Sequence, residues 1–213
     1  MEVTSTSERK WRLSKRWIRP ISHRDDGALD FTESRITVHG HQPQLYDILE
    51  IDLHGKANVD GQPENWLIEE GAMWRKKGHF GTDVIANLVE KPADLWLEEP
   101  NHPDRVSPEY LIATSAASLL LIKPDSFRIY LRNDPFGPEG KKKRRAIFTY
   151  RGTKYDLALT DPHMEEKYFP RPRQRKEGWV EPGPDSVAAI CVSLTPVLKS
   201  TGYHYKLAAA VFE

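Results

Sequence analysis

Residues 141–162 read KKKRRAIFTYRGTKYDLALTDP. Two runs rich in β-branched and aromatic residues, Ala146 to Tyr150 and Tyr155 to Thr160, flank Arg151 to Lys154, where Gly152 supplies the turn chemistry of a β-hairpin. Strand side chains alternate between faces, so Arg144, Ala146, Phe148 and Tyr150 share one side while Arg145, Ile147 and Thr149 share the other. On the second strand, Leu157 and Leu159 alternate with Asp156, Ala158 and Thr160, which gives one clear core face. Five consecutive cations, Lys141, Lys142, Lys143, Arg144 and Arg145, enter this hairpin. Cations beside aromatics suit an anionic, π-bearing ligand such as single-stranded nucleic acid. A solvated basic loop on an ordinary hairpin is the competing reading.

A chain of 213 residues accommodates one large domain or two small ones. Ordinary apolar content and dispersed charge describe a soluble globular chain, and no run of about 18 apolar residues is present. The start, MEVTSTSERK, lacks an apolar signal core. Cys191 is the single cysteine, which excludes an internal disulfide and a cysteine-based zinc site and makes a reducing cytoplasmic setting the expectation. The net charge of zero conceals an uneven distribution: seven Lys/Arg against two Asp/Glu in residues 1–24, seven against eighteen in 25–122, and seventeen against eleven in 123–213. Basic ends brought together would make a groove for a polyanion, whereas contact with the acidic middle would only neutralise them.

The rest of the chain reads as short strands separated by turn signals. Trp11 to Ser22 interleaves apolar and basic residues, with Pro20 restricting it to an edge or a strand end. Ile36 to His41 and Leu45 to Leu53 follow as strands, the latter apolar on both faces near its middle and suited to the centre of a barrel. Glu64 to Ile68 is a strand, and a short helix is expected between Asp83 and Val89. Four prolines make residues 90–108 a connection with one apolar anchor, Leu95 to Leu97. A helical turn at Pro108 to Ala113 precedes strands at Ser118 to Lys123 and Phe127 to Arg132. Residues 163–184 read as loop, and Val187 to Leu194 and Tyr203 to Phe212 as closing strands, the last partly helical through Leu207 to Ala210.

No Walker loop, nucleophile elbow, zincin or dinucleotide motif is present. His39 and His41 share a strand face without an evident third ligand; Asp25 with Asp26, or Asp156 with Asp161, could be a magnesium pair, but Asp26 before Gly27 and Asp161 before Pro162 fit turn chemistry better. Cys191 lies in an apolar strand as a core residue would. Trp66, Trp74 and Trp96 sit among apolar neighbours, while Trp11, Trp17 and Trp179 lie beside cations, where a base could stack with support from Arg16, Arg19 or Arg175.

The blocks Trp17-Ile18-Arg19-Pro20-Ile21-Ser22, Gln62-Pro63-Glu64-Asn65-Trp66-Leu67-Ile68, Tyr155 to Pro162, Cys191-Val192-Ser193-Leu194 and Gly202 to Ala209, in that order, resemble the bacterial dual OB-containing domain family. The resemblance implies two successive OB-like barrels and a role in nucleic-acid transactions or microbial conflict systems, with no catalytic residue to carry over. The start departs from it: residues 1–16 are polar and basic where the family has an apolar first strand. The expected protein is therefore mainly β, two consecutive OB-like barrels with short helices and long Pro-rich loops, over residues 1–108 and 109–213. Its expected role is a non-enzymatic module that binds DNA or RNA by single-strand or backbone-directed contacts, in a bacterial conflict or DNA/RNA-processing system, needing no cofactor or metal. Lys141 to Arg145, Arg151 and Lys154 would contact phosphates, Arg16 and Arg19 would form a second patch, and Tyr150 or Trp17 would stack. A protein-interaction or scaffold module is the alternative.

Overall fold

The computed structural model describes residues 1–5, 11–14, 16–36, 41–135, 137–138, 141–170, 176–182 and 186–213. The chain is mainly β and forms two OB-like domains. Its two compact units are Met1–Val84 and Ile85–Glu213. The division expected at residue 108 falls elsewhere because Leu95, Trp96 and Val106 are buried in the core of the second unit. The apolar anchor in the proline-rich connection thus belongs to the barrel that follows it.

In the first unit, β1 (Val3–Ser5) pairs antiparallel with β2 (Trp11–Leu13). A second sheet has β3 (Arg19–Ile21) parallel to β6 (Asn65–Ile68), which is antiparallel to β5 (Leu53–Lys56). A third joins β4 (Asp47–Glu50) to β7 (Arg75–His79). The strand expected over Trp11 to Ser22 is thus two short strands, and Pro20 stands on the edge of its sheet, where a missing N–H is tolerated. The central strand expected over Leu45 to Leu53 is interrupted at Ile51 and Asp52. Two carboxylates account for the break: Glu50 and Asp52 both turn to Arg75, at 2.6 and 3.1 Å, instead of continuing an apolar face. Ile36 makes a parallel bridge with Trp74 and donates its N–H to the His41 carbonyl at 3.0 Å; of the strand expected over Ile36 to His41, residues 37–40, with His39, lie outside the described residues, and His41 is not in a strand.

A short helix, α1 (Val84–Leu88), spans the division between the units. The second unit continues with β8 (Arg105–Val106), α2 (Pro108–Thr114), β9 (Leu119–Ile122), β10 (Ser126–Asn133), β11 (Lys142–Tyr150), β12 (Thr153–Leu159), α3 (Pro162–Tyr168), β13 (Gly178–Val180), β14 (Ala189–Leu194) and β15 (His204–Phe212). Its strand order is β13-β10-β11-β12-β15-β14-β9. Only Lys123, Pro124 and Asp125 separate β9 from β10, so the ladder returns to its own first, bent strand. With β9 and β10 as one strand, followed by β11, β12, α3, β14 and β15, this is the five-stranded Greek-key barrel of the OB fold.

Ile129, Leu131, Ala146, Phe148, Tyr155, Leu157 and Leu159 point inward, as the alternation in the hairpin requires. The Phe148 and Tyr155 rings, directly opposite each other, stack at 5.3 Å. Tyr150 pairs with Thr153 across a two-residue turn in which Arg151 and Gly152 both have positive φ, 49° and 80°, the geometry that matches strand twist and favours glycine. The helical tendency of Ala208 to Ala210 is overridden because β15 is paired on both sides, parallel to β12 and antiparallel to β14. The stretch read as loop after Pro162 contains α3, whose start is fixed by Asp161. One Asp161 oxygen accepts from His163 N at 2.8 Å, and the other accepts from Val211 N at 2.7 Å, tying the cap to the last strand.

Candidate nucleic-acid interface

The outer face of β13, β10, β11 and β12 follows from the same alternation. Trp179 lies opposite Tyr130, Tyr130 opposite Arg145, and Arg145 opposite Ala158, so one row crosses four strands. The neighbouring rows hold Arg132 opposite Lys143 and Arg128 opposite Ile147. In OB barrels the face of the second and third strands and the loop between the first two are the usual ligand surface. Here these are β11, β12 and the connection between β10 and β11, of which 134, 135, 137, 138 and 141 are described.

The basic run at this surface is differently disposed from the free patch expected. Lys143 lies 2.9 Å and Lys141 3.6 Å from Asp134, whose side chain is only 4% exposed beneath them. Lys142 donates to Asn133 Oδ1. Arg144, on the core-facing side of β11, reaches Glu165 of α3 at 2.6 Å, and Arg145 holds Asp156 at 2.6 Å. Each cation therefore has a local partner. An incoming phosphate would have to compete with carboxylates, and the net positive charge offered is smaller than the sequence count.

Arg151 and Lys154 sit at the opposite end of β11, roughly 25 Å from Lys142 at about 3.3 Å per residue. They do not form one patch with the 141–145 run. Lys154 is exposed, and Arg151 donates to the Lys91 carbonyl at 3.4 Å. Tyr150 corrects the stacking expectation. It shares the inward face with Ala146 and Phe148, is 5% exposed, and donates its hydroxyl to the Pro92 carbonyl at 2.7 Å. The remaining expected residues belong to the first unit. There Arg16 pairs with Glu2, Arg19 lies 3.6 Å from the buried Glu64, and Trp17 is half-buried. The Trp11 side chain and Arg171, Arg173 and Arg175 lie outside the described residues.

Arg128, Tyr130 and Arg132 are not among the binding residues expected from sequence, and Trp179 is expected only as one of three tryptophans beside cations on which a base could stack, with Arg175 and not Arg128 as its support. Arg128 places its guanidinium 3.9 Å from the Trp179 ring centroid and is held there by Glu181. Tyr130 meets the indole edge-to-face at 4.9 Å and donates to Glu177 at 3.0 Å, a bond that raises the phenol above its ordinary pKa. Glu177 also accepts from Asn133 at 2.9 Å. The i, i+2, i+4 spacing of Arg128, Tyr130 and Arg132 carried the signal for an outer face. The partner strand β13 did not, because three residues set among prolines read as loop.

Asp26 accepts from Ala28 N in a turn and Asp161 caps α3, both as turn chemistry anticipates. Cys191 is buried. Among the described residues no group of three or more His, Cys, Asp or Glu side chains is placed to hold a metal, and no helix is long and apolar enough to cross a membrane. A family model described as the dual OB-containing domain matches residues 6–211. Neither the curated proteins nor the solved structures give a match.

Proposed function

We propose, since the chain belongs to the dual OB-containing domain family, that it is a non-enzymatic module that binds DNA or RNA on the outer face of its second barrel. The observation that carries this reading is the row from Trp179 through Tyr130 to Arg145, flanked by Arg132 and Lys143, on the sheet face next to the connection between β10 and β11. It combines aromatic surface with cations at the place where OB barrels take extended ligands. Arg16 and Arg19 act in the structure of the first unit, through Glu2 and Glu64.

Fluorescence anisotropy with labelled single-stranded DNA, single-stranded RNA and duplex, each at low and near-physiological salt, tests the reading. Binding is expected to weaken with salt, but less steeply than five phosphate contacts would require at a slope of about 0.9 per contact, because the run from Lys141 to Arg145 is already paired. Replacing all five by glutamine should flatten the slope further. An unchanged slope removes the run from the interface.

A protein-interaction module is the second reading, and one observation favours it: four of the five cations of 141–145 meet Asp134, Asp156 or Glu165, leaving a surface of mixed charge. A stable complex with a protein, together with no binding to any of the three nucleic acids at low salt, would select it.

A further inference from the structure

Trp179 is a large aromatic on a three-residue edge strand, and 47% of its surface faces solvent. An apolar ring so placed is usually either left mobile or covered. Here it is neither. The Arg128 guanidinium lies against the ring at 3.9 Å, Tyr130 abuts it at 4.9 Å, and each of these is fixed by a carboxylate of β13 or its flank, Glu181 for Arg128 and Glu177 for Tyr130. The indole is thus held in one orientation with its remaining surface open, so a planar ligand stacking on it loses little further side-chain entropy.

We infer that the open surface of Trp179 is a stacking site for one unpaired nucleobase, which makes single-stranded nucleic acid the preferred ligand of this face. The inference rests on the nucleic-acid reading above and adds to it a strand state and a residue. A base within a duplex is already stacked and paired, and reaching the indole would require extruding it at the cost of that stacking and pairing. An unpaired base carries no such cost. Cations stand nearby: Arg132 and Lys143 in the adjacent row, and Arg145 two strands away, roughly 10 Å, where Lys143 and Arg145 reach the phosphates of neighbouring nucleotides only in competition with Asp134 and Asp156. Arg128 contributes from behind the ring, where its charge is spent on the indole and on Glu181 and not on phosphate.

The test uses the full chain, labelled oligo-dT, and a duplex of the same length. Trp179→Ala should weaken oligo-dT binding about 5- to 150-fold, the range expected for one stacked base, and leave the weaker duplex binding unchanged. Trp179→Phe, which keeps a ring, should recover most of the loss. Trp179→Ala loses the ring's contacts with Arg128 and Tyr130, so a small drop in melting temperature is expected for that variant, with Trp179→Phe close to wild type and all three proteins folded at the assay temperature. Wild-type binding to oligo-dT that is unaffected by Trp179→Ala would overturn the stacking site while leaving the nucleic-acid reading standing. Equal losses for oligo-dT and duplex would overturn the strand preference, and failure of the wild-type chain to bind either probe at low salt would overturn both readings together.

Discussion

The two units solve the same fold problem with different means. The second is built on strands of seven to nine residues, β10, β11, β12 and β15, whose alternation runs long enough to line a continuous core from Ile129 to Val211. The first uses strands of three to five residues in three separate small sheets, and its described buried apolar residues are Ile36, Ile48, Ile68 and Trp74. Ion pairs are prominent there instead: Arg75 with Glu50 and Asp52, Lys76 with Asp47, and Lys77 with Glu50. The pairs made by Arg75 and Lys77, exposed on both sides, contribute little, about 0–1 kcal/mol each, whereas Lys76 meets an Asp47 side chain only 1% exposed. The second unit, with the longer uninterrupted alternation and the continuous core, is therefore expected to be the more stable of the two.

The strongest way to break this comparison is to remove one core side chain from each unit. Phe148→Ala should cost about 3–5 kcal/mol, since the ring is fully buried and stacked on Tyr155, and Ile48→Ala about 2 kcal/mol, because its neighbours are only partly buried. Denaturant unfolding followed by amide exchange in each unit measures both. Equal losses would mean that the first unit has a core as well packed as the second.

A smaller effect, about 2–4 kcal/mol, is expected for Asp161→Ala, which removes a helix cap of α3 and leaves the Val211 N–H buried without its acceptor. Its readout is the melting temperature together with exchange at Val211. A loss confined to α3, with Val211 still protected, would show that the tie to β15 contributes nothing.

The smallest concerns Lys206, 2% exposed in β15, with Nζ donating to the Pro103 carbonyl at 2.9 Å and lying 5.8 Å from the Tyr155 ring centroid. Burial pushes its pKa down from 10.5 to about 8, against the opposing pull of Asp104, Asp94 and Glu98. The unfolded chain then binds more protons than the folded one between about pH 8 and 10.5, so this group makes stability rise with pH in that window. The gain from pH 7 to 9 is about 1 kcal/mol. Lys206→Met should abolish it, and a wild-type stability that is flat over this range would remove the burial argument.

The hairpin was legible because its alternation, turn glycine and inward Phe148 and Leu157 all specify the same register. So were β9, β10, β14 and the strand character of most of β15, where apolar runs are long. The first unit was harder to read. Leu45 to Leu53 has the composition of one central strand, and only the pairing of Glu50 and Asp52 with Arg75, across more than twenty residues of sequence, shows why it breaks. The candidate site was legible in composition but not in placement. Sequence places five cations side by side, while the three carboxylates that meet four of them, Asp134, Asp156 and Glu165, come from a loop, a strand and a helix that only the fold assembles, and Lys142 meets the uncharged Asn133. Tyr150 could have been assigned inward from its parity with Phe148. Trp179 required knowing that β13 adds to the edge of β10.

The most direct test of the central claim is photocrosslinking of a thiouridine-containing single-stranded RNA and its thiothymidine-containing DNA counterpart to the full chain, with the crosslinked peptides identified by mass spectrometry. Crosslinks concentrated on β10, β11 and β13, with Trp179 and Tyr130 among them, are the predicted result. Crosslinks confined to residues 1–84, or specific binding that leaves these three strands unlabelled, would contradict it.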